Sequence, residues 1–228
     1  MKKITKLLFT TAFLSLSLLA CQAPKEEASS EGSSTGEDTA TEVEAATTTT
    51  VLNANLATEE DLNGIGLSAE MVAQILENRP FLTMNDFDVL VDAGADKEDL
   101  YKKIFVPFNL NTTAEADFKM IPGVGDRMAH EFEEYRPYIS IQQFRREIGK
   151  YVDEEEVARY ENYVFVPVEL NSASEEDIKA LPGVGDRMAH EFEEYRPYSS
   201  IEQFRKEIGK YVDDKELARL ERFVYLKQ

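Results

Sequence analysis

Residues 122–138 read Pro-Gly-Val-Gly-Asp-Arg-Met-Ala-His-Glu-Phe-Glu-Glu-Tyr-Arg-Pro-Tyr, and residues 182–198 repeat them without a change. The same spacing of 60 residues, from Gly123 to Gly183, carries Asn111 onto Asn171. The C-terminal part of the chain is therefore a tandem repeat. Its best-preserved element is a Gly-x-Gly turn that opens a helix. Such a turn directs backbone N–H groups outward at a helix N-terminus, where they can hold an anion such as a phosphate.

A third, diverged copy precedes these two. Residues 55–62 (Asn-Leu-Ala-Thr-Glu-Glu-Asp-Leu) parallel residues 171–178 (Asn-Ser-Ala-Ser-Glu-Glu-Asp-Ile). Gly66-Leu67-Ser68 stands where the later copies have Gly-Val-Gly, and the preceding proline is missing. The sequence therefore predicts three repeats, at 51–108, 109–168 and 169–228.

About four short helices are predicted in each repeat, which makes the fold all-α. In the last repeat, Ser172 with Glu175 and Ser199 with Glu202 are interpreted as capping boxes. Asp186 is interpreted as the N-cap of the helix after the Gly-x-Gly turn. Apolar residues at helical spacing predict the buried face of that helix; they are Met188, Ala189, Phe192 and Tyr195. The outer face is predicted to carry Arg187, Glu191, Glu193 and Glu194.

Residues 1–20 have the layout of a secretory signal peptide. Lys2, Lys3 and Lys6 precede an apolar run that ends at Ala20, and this run is too short to span a bilayer comfortably. The motif Leu-Leu-Ala-Cys at 18–21 resembles the bacterial lipobox, in which the cysteine receives a lipid. The alternative is an ordinary cleaved signal with an incidental cysteine.

The segment after the signal is expected to be a lipidated tether. Residues 21–50 are rich in Ser, Thr, Gly, Ala and acidic residues, a composition typical of disordered chain. Cys21 is the single cysteine, so an internal disulfide is excluded. We expect the protein to be exported and lipid-anchored through Cys21 to a bacterial membrane, at the outer membrane or cell surface rather than the inner membrane.

The charge of the chain opposes simple binding to nucleic acid. There are 44 acidic and 25 basic residues, a net charge of −19. This balance excludes a general basic patch, the usual means of attracting DNA, and it disfavours contact with anionic lipid surfaces. Any contact with phosphate must therefore come from the local geometry of the hairpins.

The motifs resemble a known domain. Asn-x-Ala-Ser-x-Glu-Asp-Ile at 171–178, Leu-Pro-Gly-Val-Gly at 181–185, and the later Met-Ala and Tyr-Arg are similar to the helix-hairpin-helix domain of the ComEA-type bacterial DNA-uptake receptors. The resemblance covers residues 53–228 in three copies. It implies that the hairpin amides and a following basic residue hold a phosphate of double-stranded DNA, without reading base sequence. The residues implied are Gly123, Val124, Gly125 and Arg127, and Gly183, Val184, Gly185 and Arg187.

Several departures from the family pattern keep a second interpretation open. Glu70 occupies the basic position of the first repeat, which is expected to have lost its phosphate contact. Asp126 and Asp186 would occupy the hairpin amides themselves if they acted as N-caps. The alternative is an acidic scaffold that binds an envelope protein, in which Gly-x-Gly only lets two helices cross closely. A basic pocket at the hairpins would favour DNA, formed by Lys119, Lys179, Lys150 and Lys210.

No catalytic or metal-binding pattern is present in the sequence. His190 and Glu194 form an i, i+4 pair, but no third ligand lies nearby in sequence, and the pattern differs from His-Glu-x-x-His. We therefore expect neither an enzyme nor a cofactor-dependent or metal-dependent protein.

Overall fold

The computed structural model describes residues 50–92 and 94–227. The predicted signal peptide, the lipidation of Cys21 and nearly all of the tether lie outside the described residues. The described part contains twelve α-helices and six two-residue β-strands. The predicted fold class, all-α with about four short helices in each repeat, is confirmed.

The twelve helices of the described residues fall into three consecutive sets of four, grouped by the repeats of the sequence. The first repeat contains α1 (Glu59–Gly64), α2 (Ala69–Asn78), α3 (Met84–Asp88) and α4 (Lys97–Tyr101). The second contains α5 (Glu115–Phe118), α6 (Asp126–Glu134), α7 (Ile141–Ile148) and α8 (Glu154–Tyr160). The third contains α9 (Glu175–Lys179), α10 (Asp186–Glu194), α11 (Ile201–Ile208) and α12 (Asp214–Glu221).

A short parallel strand pair joins the beginning and end of each repeat. The pairs are β1 (Leu52–Asn53) with β2 (Ile104–Phe105), β3 (Phe108–Asn109) with β4 (Val164–Phe165), and β5 (Val168–Glu169) with β6 (Val224–Tyr225). Two residues are too short to show the alternating pattern of a strand, so the sequence did not predict them. Each pair closes its four helices into one unit.

In each repeat, one asparagine and one arginine side chain hydrogen-bond the loop before the first helix to the chain that follows the second helix. The Asn171 side chain donates to Tyr198 O at 2.9 Å and accepts from Tyr198 N–H at 2.6 Å. Arg196 Nε donates to Leu170 O at 2.6 Å, and its Nη2 donates to Ala173 O at 2.8 Å. These bonds satisfy backbone N–H and C=O groups that have no partner within a helix or strand. The same arrangement recurs with Asn55 and Arg79, and with Asn111 and Arg136.

Two predicted helix starts were wrong by one or two residues. Ser174, not Ser172, caps α9, because the Ser174 hydroxyl accepts from Asp177 N–H at 3.1 Å. Likewise Ser200, not Ser199, caps α11. Several residues able to cap stand in succession at both places, and the one with extended backbone directly before the first helical residue is the cap.

The predicted core positions of α6 and α10 are equivalent. Phe132 and Phe192 are both fully buried. The centroid of the Phe132 ring lies 5.8 Å from that of Phe144, and the centroid of the Phe192 ring lies 5.1 Å from that of the corresponding Phe204. Such aromatic pairs stabilise a core beyond the area they bury.

Arg222 joins the third repeat to the first. Its guanidinium donates to Pro107 O at 3.0 Å and to Phe81 O at 3.4 Å. It also lies 5.3 Å from the Phe165 ring centroid and 5.5 Å from that of Phe223. Burial lowers the pKa of Arg222 to about 10, so the group stays charged at neutral pH. Through these contacts the third repeat packs against the first as well as the second.

Candidate nucleic-acid interface

The Gly-x-Gly turn has the same shape in the second and third repeats. Gly123 and Gly183 have φ angles of +79° and +73°, a region in which a side chain is strained. Gly125 and Gly185 are the N-caps of α6 and α10, and no side chain caps either helix. The first amides of both helices are therefore left to another acceptor.

Asp126 and Asp186 do not cap these helices, which corrects the prediction for Asp186. Each is the first residue inside its helix. Asp126 Oδ1 accepts from Lys119 Nζ at 2.9 Å, and Asp186 Oδ1 lies 2.8 Å from Lys179 Nζ. The hydrogen bonds from these lysines lower the pKa of both carboxyls. Because the carboxylates pair with lysines, they do not occupy the amides of α6 and α10.

The hairpin amides differ in availability. Val124 N–H donates to Ile121 O at 3.0 Å, and Val184 N–H donates to Leu181 O at 3.0 Å. The valine amides thus stabilise the turn. Their N–H groups are not free for the phosphate contact predicted for Val124 and Val184. By contrast, Gly123 and Gly125 are exposed, and no acceptor for their N–H groups is found among the described residues. The glycine amides are therefore the available donors.

Arg127 and Arg187 lie beside these amides as the second residues of α6 and α10. Both are exposed. Within residues 50–92 and 94–227, no carboxylate forms an ion pair with either. The Arg127 guanidinium lies 5.8 Å from the ring centroid of Tyr151, which is within cation–π range. Both arginines can thus bind a phosphate through two parallel hydrogen bonds.

The four lysines predicted to form a basic pocket are all paired with carboxylates. Lys119 and Lys179 lie at the hairpins, where each pairs with an aspartate of the adjacent helix. Lys150 and Lys210 pair with Glu147 and Glu207 in the second turn of their repeats. Their hydrogen bonds to these glutamates raise the pKa of both lysines. Each lysine of the predicted pocket is therefore partly neutralised by its partner.

The two hairpins are not equally open. A Cβ built on Gly183 would lie 2.6 Å from Leu56 Cδ1 and 3.1 Å from Arg219 Nη2. At Gly123 the nearest atom to such a Cβ is Arg159 Nη2, at 3.5 Å. The first repeat thus covers part of the third hairpin, and the second hairpin is the more accessible.

The first repeat keeps the turn but differs from the other two at the cap and at the basic position. Gly66 has a φ of +82°, so the backbone still makes the turn. However, the Ser68 side chain accepts from Met71 N–H at 3.2 Å and caps α2. Glu70 adds a negative charge to the first turn of the same helix. Both changes disfavour an anion at this position.

The second and third repeats each have a buried glutamate near the turn that follows α7 or α11. The sequence did not predict this burial. Glu191 was placed on the outer face of its helix, but it is buried, as is Glu131. The Tyr135 hydroxyl, 2.7 Å away, and the Glu131 carboxylate raise the pKa of Tyr151. The spacing along α10 could not show this, because Glu191 is covered by a turn that is distant in sequence.

The histidine–glutamate pairs remain on the surface. His190 Nε2 lies 3.8 Å from Glu194 Oε2, and His130 Nδ1 lies 3.4 Å from Glu115 Oε2. Within the part of the chain that the structure describes, no group of three or more such residues is placed to hold a metal. None of the helices in that part has the length and apolarity needed to cross a membrane.

Comparison with known families gives one match. Residues 164–225 match the helix-hairpin-helix motif, a segment that includes the third hairpin and all four helices of the third repeat. Such motifs commonly bind nucleic acid. Comparisons with curated proteins and with solved structures found no match.

Proposed function

We propose that this protein binds the phosphate backbone of double-stranded DNA, without regard to base sequence, through the hairpins of its second and third repeats. The observation that supports this most directly is the pairing of an exposed arginine, Arg127 or Arg187, with uncapped amides at the start of α6 or α10. The helix-hairpin-helix match at 164–225 supports the same class of ligand.

Each hairpin alone offers weak binding. A helix N-terminus stabilises an adjacent anion by about 0.3–1 kcal/mol, and one arginine adds a charge-assisted hydrogen bond. The acidic surface opposes DNA, but repulsion between exposed charges is largely screened beyond about 8 Å at physiological salt. Two hairpins in one chain raise the affinity, since the second contact forms at high effective concentration.

We further propose that the protein acts at the bacterial envelope and possesses no catalytic activity. The lipobox-like motif before Cys21 supports a lipid anchor there, and the acidic residues 22–50 would hold the repeats away from the membrane. Capture of DNA at the surface fits a role in DNA uptake, the role of the receptors that the motifs resemble.

One observation favours a second candidate function, an acidic scaffold for an envelope protein. Leu56 of the first repeat packs over Gly183, so the third hairpin also serves to join repeats. If both hairpins were purely structural, the acidic surface would be the binding surface. DNA retention separates the two functions.

The test is binding of a labelled duplex by the full-length protein in mild detergent, followed by fluorescence anisotropy over a salt series. Two phosphate contacts predict a shallow slope of about −2 on a log–log plot of affinity against salt. Duplexes of different base composition should bind equally. If the protein does not bind DNA at low salt, the protein-binding scaffold is the remaining candidate function.

A further inference from the structure

A groove of about 560 Å³ lies between the first repeat and the second hairpin. Residues 120–125 form one wall, and α4 of the first repeat contributes the other. Lys97, on α4, and Lys119, just before the hairpin, both line it. Two lysines from different repeats thus line the same groove as Gly123 and Gly125.

Lys97 is held in place by a neighbour in its own repeat. Its Nζ lies 2.6 Å from Asp88 Oδ1, and the Tyr101 hydroxyl donates to the same oxygen. Burial raises the pKa of Asp88, but the hydrogen bonds from Lys97 and Tyr101 outweigh it and hold this pKa below its usual value. An ammonium group has three N–H donors, and the Lys97 side chain is 39% exposed. Donors therefore remain for a ligand in the groove.

Lys119 can exchange its partner for a phosphate. Asp126, with which it pairs, has a side chain that is 89% exposed, and ion pairs of this kind contribute at most about 1 kcal/mol. Glu98, the acidic residue of the groove lining, pairs with Lys102 at 3.3 Å. The lining itself thus holds two lysines and one glutamate, a net charge of +1, on a chain whose net charge is −19.

We propose that Lys97 is a phosphate ligand of the second hairpin, so that the first repeat completes a site across the repeat boundary. This inference rests on the proposed DNA binding and makes the second hairpin the principal site. The third hairpin differs, because Leu56 covers Gly183 there. The first repeat, whose own hairpin carries Glu70, thus contributes to binding as a wall of its neighbour's site.

The test compares Lys97 with Lys103, a lysine of similar exposure that also pairs with an aspartate but does not line the groove. Lys97→Gln removes the charge but keeps a hydrogen-bond donor for Asp88, and Lys103→Gln makes the same change outside the groove. Affinity for the labelled duplex should fall about twofold to fivefold in Lys97→Gln, the effect of losing one exposed ion pair. The salt slope should become shallower by about 0.9. Lys103→Gln should change both less, and Lys97→Arg should bind as the wild type does.

Four outcomes overturn the inference, and they can be told apart. Equal affinities and slopes for Lys97→Gln and Lys103→Gln, with Arg127→Gln still impaired, would refute the role of Lys97 and leave the proposed function intact. Unimpaired binding by Arg127→Gln, or no binding by the wild type, would contradict both. Circular dichroism spectra of all variants must match, and Lys97→Arg binding as weakly as Lys97→Gln would show that packing, not charge, is lost.

Discussion

Lys119 Nζ lies 2.9 Å from Asp126 Oδ1, and this contact decides whether the second hairpin is open to a ligand. An aspartate beside a Gly-x-Gly turn can cap the helix that follows, and then no amide is left for a phosphate. Here Gly125 takes the cap position, and the carboxylate is held by a lysine instead. The same arrangement recurs between Lys179 and Asp186.

The first prediction follows from this pair. Asp126→Asn removes a negative charge beside the proposed phosphate and releases Lys119, so affinity for DNA should rise about twofold to fivefold. Asp92→Asn makes the same charge change on an exposed residue away from the hairpins and should have a smaller effect. Anisotropy titration measures both. Equal gains would show that only net charge matters.

The diverged first repeat supplies a gain-of-function prediction. Glu70→Lys replaces an acid by a base at the position that Arg127 and Arg187 hold in the other repeats, so binding should strengthen. Glu77→Lys, near the other end of α2, is the matched control. The capped amide at Ser68 limits the gain. A gain no larger than that of Glu77→Lys would mean that the position has no relation to DNA.

Truncation of one buried phenylalanine should cause a large loss of stability. Phe132 is fully buried against Phe118 and Tyr160, so Phe132→Ala should lower the free energy of unfolding by about 3–5 kcal/mol. Phe192→Ala should behave alike. Ile139 is 67% exposed, and Ile139→Ala should change stability by less than about 0.5 kcal/mol. Denaturant unfolding measures all three, and a negligible change for both phenylalanines would refute the core.

The proposed anchor is tested by labelling. Cells that produce the wild-type chain with radioactive fatty acid should incorporate label, because Cys21 follows a lipobox-like motif. Cys21→Ser should incorporate none, and its membrane attachment should change. Label in the serine variant would rule out Cys21 as the lipidated residue.

The repeat period and the apolar spacing were sufficient to predict the fold class and the buried phenylalanines. Helix starts were less predictable, because runs such as Ser-Ala-Ser at 172–174 offer several caps and backbone geometry selects one. The strand pairs and the Asn171–Tyr198 bonds were not predictable, since they join residues that are far apart in sequence.

The candidate site was predictable where it is local. The positions of Arg127 and Gly125 follow from the hairpin motif, and the structure places both at the helix start. The contacts between repeats could not be predicted from the sequence. They are the packing of Leu56 over Gly183 and the position of Lys97 beside the second hairpin. The pairing of Lys150 with Glu147 was likewise not predicted.

The central claim is that two arginines at two hairpins hold DNA, and one comparison tests it directly. The double variant Arg127→Glu, Arg187→Glu reverses both charges on exposed residues outside the core. Arg146→Glu, Lys206→Glu makes the same change in total charge within the same two repeats, on exposed positions of α7 and α11. Anisotropy titration at low salt should show no binding by the first variant and weakened but measurable binding by the second. Equal binding by the two variants would place the phosphate contacts elsewhere and contradict the assignment of the hairpins.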